Sequence, residues 1–356
     1  MNLYFGIQIA PYRIDFCNAL SERYGYAIFH LEESVDLGFN QAWVAGEVRY
    51  EDHRYPKPGW GIRTWRLFRA LLRQYQPDTV MASEFSLTTL WMLLFSRFGK
   101  RRFRVVSLCD DSMDMIRGND FSFRHRLARR IVPFFLDNLI LPSEDTQDWY
   151  RRHFGKGVCM PIIADDIRFR TLLHEALPEA RRLSARWNLA GIRVILFVGR
   201  QVAVKNVSSL IQAVSGLQMP HRLMIVGDGP FREQWEELSA SLHADVVFVG
   251  AQSGLDLAAY YQLADLFVLP SVREPFGAVV NEALLAGVPV IVSSRAGSRS
   301  LVNPDNGRIV EPSAEEIASA LAEMLATVPA RSAYEMRPSL MKVPFQSWLA
   351  AVMNAL

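Results

Sequence analysis

Short apolar runs alternate with amphipathic stretches along nearly the whole chain. The apolar runs are rich in β-branched and aromatic residues, which favours strands. The predicted strands are Leu3–Ile9, Ala27–Leu31, Ala42–Ala45, Thr79–Ala82, Phe103–Leu108, Asn138–Leu141, Val194–Val198, Arg222–Val226, Val246–Val249, Leu266–Leu269 and Val288–Val292. The predicted helices between them include Trp60–Tyr75, Leu87–Phe98, Asn206–Ser215 and Pro230–Leu242. Strands that alternate with helices indicate βαβ units and parallel sheets, so the pattern predicts an α/β protein.

The predicted strands fall into two groups, separated by a polar, Arg-rich stretch from Gly157 to Gly191. This division fits two doubly wound sheets better than a single sheet or an eight-fold barrel. The length of 356 residues also suits two domains of ordinary size. We therefore predict a first domain over residues 1–162 and a second over residues 163–335. The last segment, residues 336–356, carries apolar residues at helical spacing.

The composition excludes several classes of protein. Hydrophobic residues make up 50% of the chain and include 21 Phe, which excludes disorder, and the 21 Gly show no collagen period. Cys17, Cys109 and Cys159 are odd in number and lack metal-binding spacing, which favours reduced thiols in a cytoplasmic protein. No signal-peptide pattern opens the chain, and its longest apolar runs are about half a membrane span or less. The net charge of +2 gives no reason to expect a nucleic-acid partner.

The first candidate site follows the predicted strand Val194–Val198. That strand ends at Gly199, Arg200 comes next, and Lys205 lies five positions later at the predicted start of a helix. Ligands of α/β sheets bind at the carboxyl ends of strands, and the positive end of a helix dipole adds to the two cations. The arrangement therefore predicts a diphosphate site, although a solvated surface loop would contain the same residues.

A second candidate site lies in the strand–loop–helix–strand unit of residues 266–294. It contains two carboxylates, Glu274 and Glu282, and the second belongs to a largely apolar helix predicted to begin near Gly277. Their spacing suits two sets of sugar hydroxyls better than one proton relay. Backbone amides between the carboxylates are predicted to donate to phosphate oxygens, namely those of Phe276, Gly277, Ala278, Val279 and Val280.

Taken in order, the segments GRQVAVKN, GDGP and EPFGAVVNEALLAGVPVIV resemble the family-4 retaining glycosyltransferases of the GT-B fold. The resemblance is strong from about Val194 to Val328. It implies two Rossmann-like domains facing a central cleft, with the last helix returning to the first domain. It also implies that Arg200 and Lys205 bind the donor diphosphate, that Glu274 contacts the transferred sugar and Glu282 the nucleotide ribose, and that the loop at Gly250 lies near the base.

The resemblance further implies the reaction. A hexose or related sugar passes from a nucleotide diphosphate sugar to a hydroxyl acceptor with retention, by front-face attack in which the leaving phosphate accepts the proton. The barrier is lowered chiefly by charge stabilisation of the departing nucleoside diphosphate. Because two cations already neutralise the diphosphate, we expect no metal ion and no other cofactor. The expected acceptor is a lipid-linked or growing bacterial surface glycan.

The first domain offers candidates on the acceptor side. Cys109 and Asp110 follow the predicted strand Phe103–Leu108, and many family members have His-Asp near this place, with the His beside the transferred sugar. Asp110 is a candidate for stabilising positive charge on the sugar, although a helix cap or a turn explains it equally well. The other candidates are Arg13, for which a surface position is the simpler interpretation, and Ser83 and Glu84, which are expected to face the crevice after the predicted strand Thr79–Ala82.

Basic residues of the first domain are interleaved with apolar ones. They form three clusters, consisting of Arg63, Arg66, Arg69 and Arg73, of Lys100, Arg101, Arg102 and Arg104, and of Arg124, Arg126, Arg129 and Arg130. Such surfaces suit anionic lipid head groups, so we expect peripheral contact with the cytoplasmic face of the inner membrane. Solvated helix faces explain each cluster taken alone.

Two other functions remain open on the sequence. One is a GT-B nucleotide-sugar epimerase, which needs acid and base groups but no second substrate. The other is a nucleotide-sugar-binding subunit that supports a partner transferase, and Cys109 in the place of the family histidine is the feature that favours it.

Overall fold

The computed structural model describes residues 1–32, 47–118, 122–329 and 335–356. The predicted strand Ala42–Ala45 lies outside these residues. The chain divides into two compact units, the first formed by Met1–Ile162 with Gln346–Leu356 and the second by Ile163–Phe345. Among the described residues, no helix combines the length and the hydropathy that crossing a bilayer requires.

The first unit contains a sheet of seven parallel strands in the order β3-β2-β1-β4-β5-β6-β7. The strands are β1 (Asn2–Gly6), β2 (Tyr26–Leu31), β3 (Asp52–Tyr55), β4 (Thr79–Ser83), β5 (Arg104–Leu108), β6 (Asn138–Leu141) and β7 (Val158–Cys159). The helices are α1 (Ile14–Tyr24), α2 (Ile62–Tyr75), α3 (Leu87–Phe98), α4 (Met113–Arg117), α5 (Phe123–Phe135) and α6 (Glu144–Phe154).

The second unit contains a sheet of six parallel strands in the order β10-β9-β8-β11-β12-β13. The strands are β8 (Arg193–Val198), β9 (His221–Val226), β10 (Val246–Gly250), β11 (Leu266–Leu269), β12 (Val290–Ser293) and β13 (Gly307–Val310). The helices are α7 (Asp166–Glu175), α8 (Leu177–Arg186), α9 (Val207–Ser215), α10 (Arg232–Ser241), α11 (Gly254–Leu263), α12 (Val279–Leu285) and α13 (Ala314–Thr327).

A last helix, α14 (Phe345–Ala355), follows the second unit, and all but its first residue belongs to the first unit. The side-chain amide of Asn138 on β6 donates to the carbonyl oxygen of Ala355 at 3.1 Å. Arg23, in the last turn of α1, donates a hydrogen bond to Gln346. The apolar residues Phe345, Leu349 and Val352 are buried, so the helical stripe seen in the sequence packs inward.

Central strands of both sheets are continuous apolar runs because helices cover both of their faces. Every residue of β8, β11 and β12 is buried. The strand order is that of a Rossmann sheet, in which the direction of strand addition reverses between the first and the fourth strand of each unit. The reversal falls between β1 and β4 in the first unit and between β8 and β11 in the second. In such sheets the crevice at the reversal is where ligands bind.

The predicted α/β class is therefore confirmed, with small shifts at the ends of elements. Strands β3, β7 and β13 are missing from the prediction, and all three lie at sheet edges. The sequence of β3, DHRY, is polar, and β7 has only two residues. The helix expected from about Gly277 begins at Val279, and the helix expected from Pro230 begins at Arg232.

Candidate functional site

Glycines allow the ends of three neighbouring strands, β8, β9 and β10, to approach one another closely. The amide of Gly199 donates to the carbonyl of Val226 at 2.9 Å, and the amide of Gly227 donates to the carbonyl of Gly250 at 2.8 Å. A Cβ atom on Gly227 would lie 2.0 Å from the carbonyl oxygen of Gly199. Only glycine fits there, and the same reason explains Gly229, where a Cβ would lie 2.5 Å from the carbonyl oxygen of Gln201.

Lys205 and Glu274 meet in an ion pair at the strand reversal of the second sheet. Lys205 ends a short 3₁₀ turn after β8, and Glu274 lies in the loop between β11 and α12. The lysine Nζ contacts the glutamate Oε2, and the side chains are 16% and 10% exposed. Ser271 Oγ also donates to Oε2, at 3.5 Å. The sequence predicted each residue separately, and the structure brings them together.

The loops that carry this ion pair are fastened to each other through Asn206. Its backbone adopts a left-handed conformation, with φ of 54°, between the 3₁₀ turn and α9. Its side-chain amide donates to the carbonyls of Pro270, at 3.1 Å, and Pro312, at 2.9 Å. The amide of Val272 donates to the carbonyl of Val204 at 2.9 Å. These bonds hold the backbone on either side of Lys205, a feature that the sequence analysis missed.

Arg200 is exposed and lies two residues after Val198, which ends β8. Within the part of the chain that the structure describes, its guanidinium forms no ion pair. Its position at the carboxyl end of β8 is the predicted one, but among the described residues its side chain forms no ion pair with Glu274 or Glu282. Of the two predicted cations, Lys205 alone therefore has a defined partner in the site.

The segment before α12 is tightly packed. Gly277 has φ of 93°, and a Cβ on it would lie 2.7 Å from Leu269 Cδ2 and 3.1 Å from Glu274 Cγ. The ring of Phe276 is buried, and its carbonyl accepts a hydrogen bond from the Ser298 amide at 2.7 Å. Helix α12 starts at Val279, two residues later than expected. The amide of Val280 donates to the carbonyl of Gly277 at 3.1 Å. The amides of Gly277, Ala278 and Val279 thus come at the beginning of α12, where N–H groups have no partner within the helix.

Glu282 lies on α12 and accepts a hydrogen bond from the hydroxyl of Tyr261 at 2.6 Å. Tyr261 is fully buried on α11, and burial together with the charge of Glu282 raises the pKa of its hydroxyl well above the usual value. The tyrosine therefore stays a neutral donor that orients the Glu282 carboxylate. Gly250, at the end of β10, has φ of 86° and sits at an irregularity in the β9–β10 pairing.

The acceptor-side candidates of the first unit also come together, at the reversal of the first sheet. Arg13, predicted as a surface residue, is buried and forms an ion pair with Asp110. Glu84, directly after β4, accepts a hydrogen bond from the Asp110 amide at 2.8 Å and one from Cys109 Sγ at 3.3 Å. Ser83 ends β4 and is half-buried. The thiol of Cys109 is fully buried, and burial raises its pKa well above the usual value.

A buried ion pair that the sequence did not predict lies beside this cluster. Arg129, assigned from the sequence to a basic surface cluster, is 5% exposed, and its guanidinium donates two hydrogen bonds to Asp111, at 2.6 and 2.7 Å. The hydroxyl of Tyr150 donates to the same carboxylate at 2.7 Å. The surface assignment of Arg129 is therefore wrong. Arg129 and Asp111 are buried together because each compensates the charge of the other.

One set of described side chains has the geometry to hold a metal ion, since ligand atoms of Glu84, Asp111 and His125 lie within 4.8 Å of one another. Both oxygens of Asp111 already accept hydrogen bonds from Arg129. A cation at this place would have to compete with the guanidinium, so the residues fit a metal poorly.

Two sequence models of protein families match the chain. The glycosyl transferases group 1 model matches residues 183–336, and the glycosyltransferase family 4 model matches residues 12–159. Together they cover most of both units.

Curated relatives carry glycosyltransferase names. An uncharacterised glycosyltransferase of Methanocaldococcus jannaschii is 41% identical over 34% of this chain and 32% of its own length. A GDP-mannose-dependent alpha-mannosyltransferase of Mycobacterium tuberculosis is 28% identical over 72% of this chain and 65% of its own. The matches thus span from about a third to about two thirds of these relatives.

Solved structures with the same fold include Anabaena HepE in complex with UDP, at a TM-score of 0.70 and 18% identity, over 99% of this chain and 94% of the other. A glycosyltransferase from Rickettsia africae has a TM-score of 0.72 at 13% identity, over 99% and 93% of the two chains. At such identities these similarities establish the fold, which is that of two Rossmann-like halves.

Proposed function

Since the chain belongs to the family-4 type of glycosyltransferases with the GT-B fold, we propose that it transfers a sugar from a nucleotide diphosphate sugar to a hydroxyl acceptor. The donor binds to the second unit and the acceptor to the first. One observation carries the proposal, namely the Lys205–Glu274 pair at the reversal of the second sheet. The pair lies where Rossmann sheets bind ligands, which supports Lys205 as the cation for phosphate and Glu274 as the carboxylate for sugar hydroxyls.

Stabilisation of the leaving group supplies most of the catalysis. Lys205 and Arg200 neutralise charge that develops on the departing diphosphate, and the amides at the start of α12 donate to its oxygens. Lys205 is already fixed by Glu274 and by the Asn206 bonds, so little reorganisation is needed when the donor binds. Glu282, oriented by Tyr261, contacts the ribose hydroxyls.

We further propose a hexose donor and retention of the anomeric configuration, with the leaving phosphate accepting the acceptor's proton. Asp110 serves as the carboxylate of the first unit that stabilises positive charge on the sugar. No metal ion or other cofactor is required. Solved neighbours in complex with UDP and with UDP-glucose support a nucleotide-sugar donor.

A lipid-linked or growing bacterial surface glycan is the acceptor we favour. Relatives named for teichuronic acid biosynthesis in Bacillus subtilis and lipopolysaccharide core biosynthesis in Rhizobium meliloti support this class. The chain also carries an apolar face on α5, whose side chains are between 45% and 70% exposed: Phe123, Leu127, Ile131, Phe134 and Phe135. Arg124 and Arg130 are exposed on the same helix. An apolar stripe beside cations suits the surface of an anionic bilayer.

The membrane part of the proposal is tested by sedimentation with vesicles. We expect the protein to bind vesicles of phosphatidylglycerol and phosphatidylcholine more strongly than vesicles of phosphatidylcholine alone. The double variant Ile131→Ser with Phe134→Ser should lose most of this binding. Ile167→Ser, which removes a 69% exposed isoleucine of the second unit, is the matched control and should bind as the wild type does. Equal vesicle binding by the wild type and both variants would show that the apolar face of α5 does not bind the membrane.

The donor is identified by a thermal-shift screen of UDP-, GDP- and ADP-sugars. A sugar nucleotide that raises the melting temperature is then supplied with octyl glucoside as a hydroxyl acceptor, and release of free nucleotide and formation of product are measured. Stabilisation by none of these donors would argue against the proposal.

A second candidate function, that of a nucleotide-sugar-binding subunit, is favoured by one observation. Cys109 occupies the place of the family histidine, is fully buried and donates to Glu84. It therefore cannot contact a sugar in this conformation. Donor binding without product from any acceptor would support the subunit, whereas product formation would exclude it.

A further inference from the structure

Glu84 has an unusual position for a carboxylate. It follows β4 directly, at the strand reversal of the first sheet. Its backbone has φ of 56°, in the left-handed region that residues other than glycine rarely adopt. The surrounding bonds account for this conformation. Its amide donates to the carbonyl of Leu108 at 2.8 Å, and its carbonyl accepts from Thr89 Oγ1 at 2.8 Å and from Ser107 Oγ at 2.9 Å.

The side chain of Glu84 points to the loop after β5. Its Oε1 accepts the Asp110 amide at 2.8 Å, and its Oε2 accepts from Cys109 Sγ at 3.3 Å. The carboxylate therefore binds two consecutive residues of this loop. Because Glu84 is itself held by β5 and α3, the loop is tied to the sheet rather than supported by its own turn.

Asp110 is held from a second direction by Arg13. The guanidinium of Arg13 is almost entirely buried, with 8% of the side chain exposed, whereas the Asp110 side chain is 36% exposed. Asp110 thus presents the accessible carboxylate of the cluster, its backbone fixed by Glu84 and its side chain fixed by Arg13. Because both its backbone and its side chain are held, the accessible carboxylate of Asp110 is pre-organised for contact with a substrate.

We infer that Glu84 is a positioning residue, which acts on turnover only through Asp110 by fixing its backbone for contact with the reacting sugar. The inference rests on the proposed function and deepens it, because it adds a residue that does not itself contact substrate. The accepting oxygen of Glu84, rather than its charge, performs this role, since the bond to the Asp110 amide needs only an acceptor.

The test is a kinetic double-mutant cycle with Glu84→Ala and Asp110→Ala. Nucleotide release is measured from the donor found by thermal shift, with octyl glucoside as the acceptor. Each single variant should lower kcat by about tenfold or more, while the dissociation constant of the donor stays within about twofold because its proposed binding residues lie in the second unit. The double variant should be no slower than Asp110→Ala.

Two further variants separate positioning from general destabilisation. Glu84→Gln keeps an oxygen acceptor for the Asp110 amide and should recover most of the wild-type kcat. Glu51→Gln, which neutralises an 83% exposed carboxylate of the same unit, is the matched control and should leave kcat unchanged. If Glu84→Ala does not fold, Glu84→Asp, which withdraws the acceptor by one methylene, replaces it in the cycle.

Losses in kcat that multiply in the double variant would overturn the inference, as would a folded Glu84→Gln as slow as Glu84→Ala. A wild-type kcat in Glu84→Ala would do the same. These results leave the proposed function standing, because they need an active wild type. A wild type that binds no nucleotide sugar and releases no nucleotide would refute the proposed function and this inference with it.

Discussion

Lys205 and Glu274 form an ion pair although 69 residues separate them in the sequence. They meet because β8 and β11 are neighbours in the sheet although β9 and β10 lie between them along the chain. The chain reverses its direction of strand addition between these two strands, so the loops that follow them open toward the same crevice. A lysine after one strand and a glutamate after the other are thereby brought to one place.

Replacing Lys205 tests whether this pair binds the leaving diphosphate. We expect Lys205→Ala to lower kcat by about a hundredfold or more, because a preorganised charge at the leaving group is lost. Lys342→Ala is the matched control, since Lys342 is a 62% exposed lysine of the same unit. Steady-state rates of nucleotide release check the prediction. A Lys205→Ala enzyme with near-normal turnover would show that the phosphate is bound elsewhere.

Asn206 is predicted to govern the position of Lys205. Asn206→Ala removes the bonds to the carbonyls of Pro270 and Pro312 and leaves a left-handed backbone without glycine or asparagine. We expect the free energy of unfolding to fall by about 2–3 kcal/mol and kcat to fall by about tenfold.

Asn206→Gly distinguishes the two causes, because it removes the side chain but relieves the backbone. It should recover about 1 kcal/mol of stability relative to Asn206→Ala and none of the lost turnover. Recovery of turnover in Asn206→Gly would mean that the side-chain bonds do not position Lys205. Denaturant unfolding and steady-state kinetics give the two readouts.

Gly227 is predicted to be irreplaceable in the second sheet. A Cβ in Gly227→Ala would lie 2.0 Å from a backbone oxygen, so strands β8 and β9 would have to separate. We expect a loss of about 3 kcal/mol or more in the free energy of unfolding. Gly191→Ala also has a positive φ, of 72°, but no atom within 4 Å of the added Cβ. It should cost only about 1 kcal/mol, and equal losses for both variants would contradict the close approach.

Glu84 is predicted to make stability depend on pH. Burial, with added repulsion from Asp110 and Asp111, raises its pKa from 4.5 to about 8. Between these values the folded protein keeps a proton that the unfolded chain has released, so the free energy of unfolding falls as the pH rises. The contribution is at most about 1.4 kcal/mol per pH unit.

Glu84→Gln removes this contribution. Its stability relative to the wild type should increase as the pH rises from 5 to 8 and change little above that. Urea unfolding of both proteins across this range measures the difference, with Glu51→Gln as the control whose curve follows the wild type. Parallel curves for Glu84→Gln and the wild type would show that Glu84 ionises normally.

The sequence predicts most of the second unit because its strands are continuous apolar runs, and its candidate site residues lie in the loops that follow those strands. Lys205 follows β8 and Glu274 follows β11, so the strand pattern points to both, whereas the role expected of Gly250 comes from the resemblance alone. What the sequence does not contain is the contact between loops. The bonds from Asn206 to Pro270 and Pro312 span 64 and 106 residues. No local pattern marks them; the sequence shows only that an asparagine, a residue type that tolerates a left-handed backbone, follows Lys205.

The first unit was harder to predict for a related reason. Arg13 pairs with Asp110 across 97 residues, and Arg129 with Asp111 across 18, so each arginine resembles a surface residue when taken alone. Burial of a charge depends on a partner that only the fold supplies. An Arg on the inner face of an amphipathic helix, flanked by Ala128 and Val132, is the signal that could have identified Arg129.

The Arg129–Asp111 bond has a mechanical consequence. Arg129 lies on the inner face of α5, whose outer face carries the exposed aromatic side chains, and Asp111 is the residue next to Asp110. Two hydrogen bonds from one planar guanidinium join them, so α5 is tied directly to the loop after β5. The outer face of α5 is thereby linked, through Arg129 and Asp111, to Asp110, whose backbone Glu84 holds and whose side chain Arg13 holds.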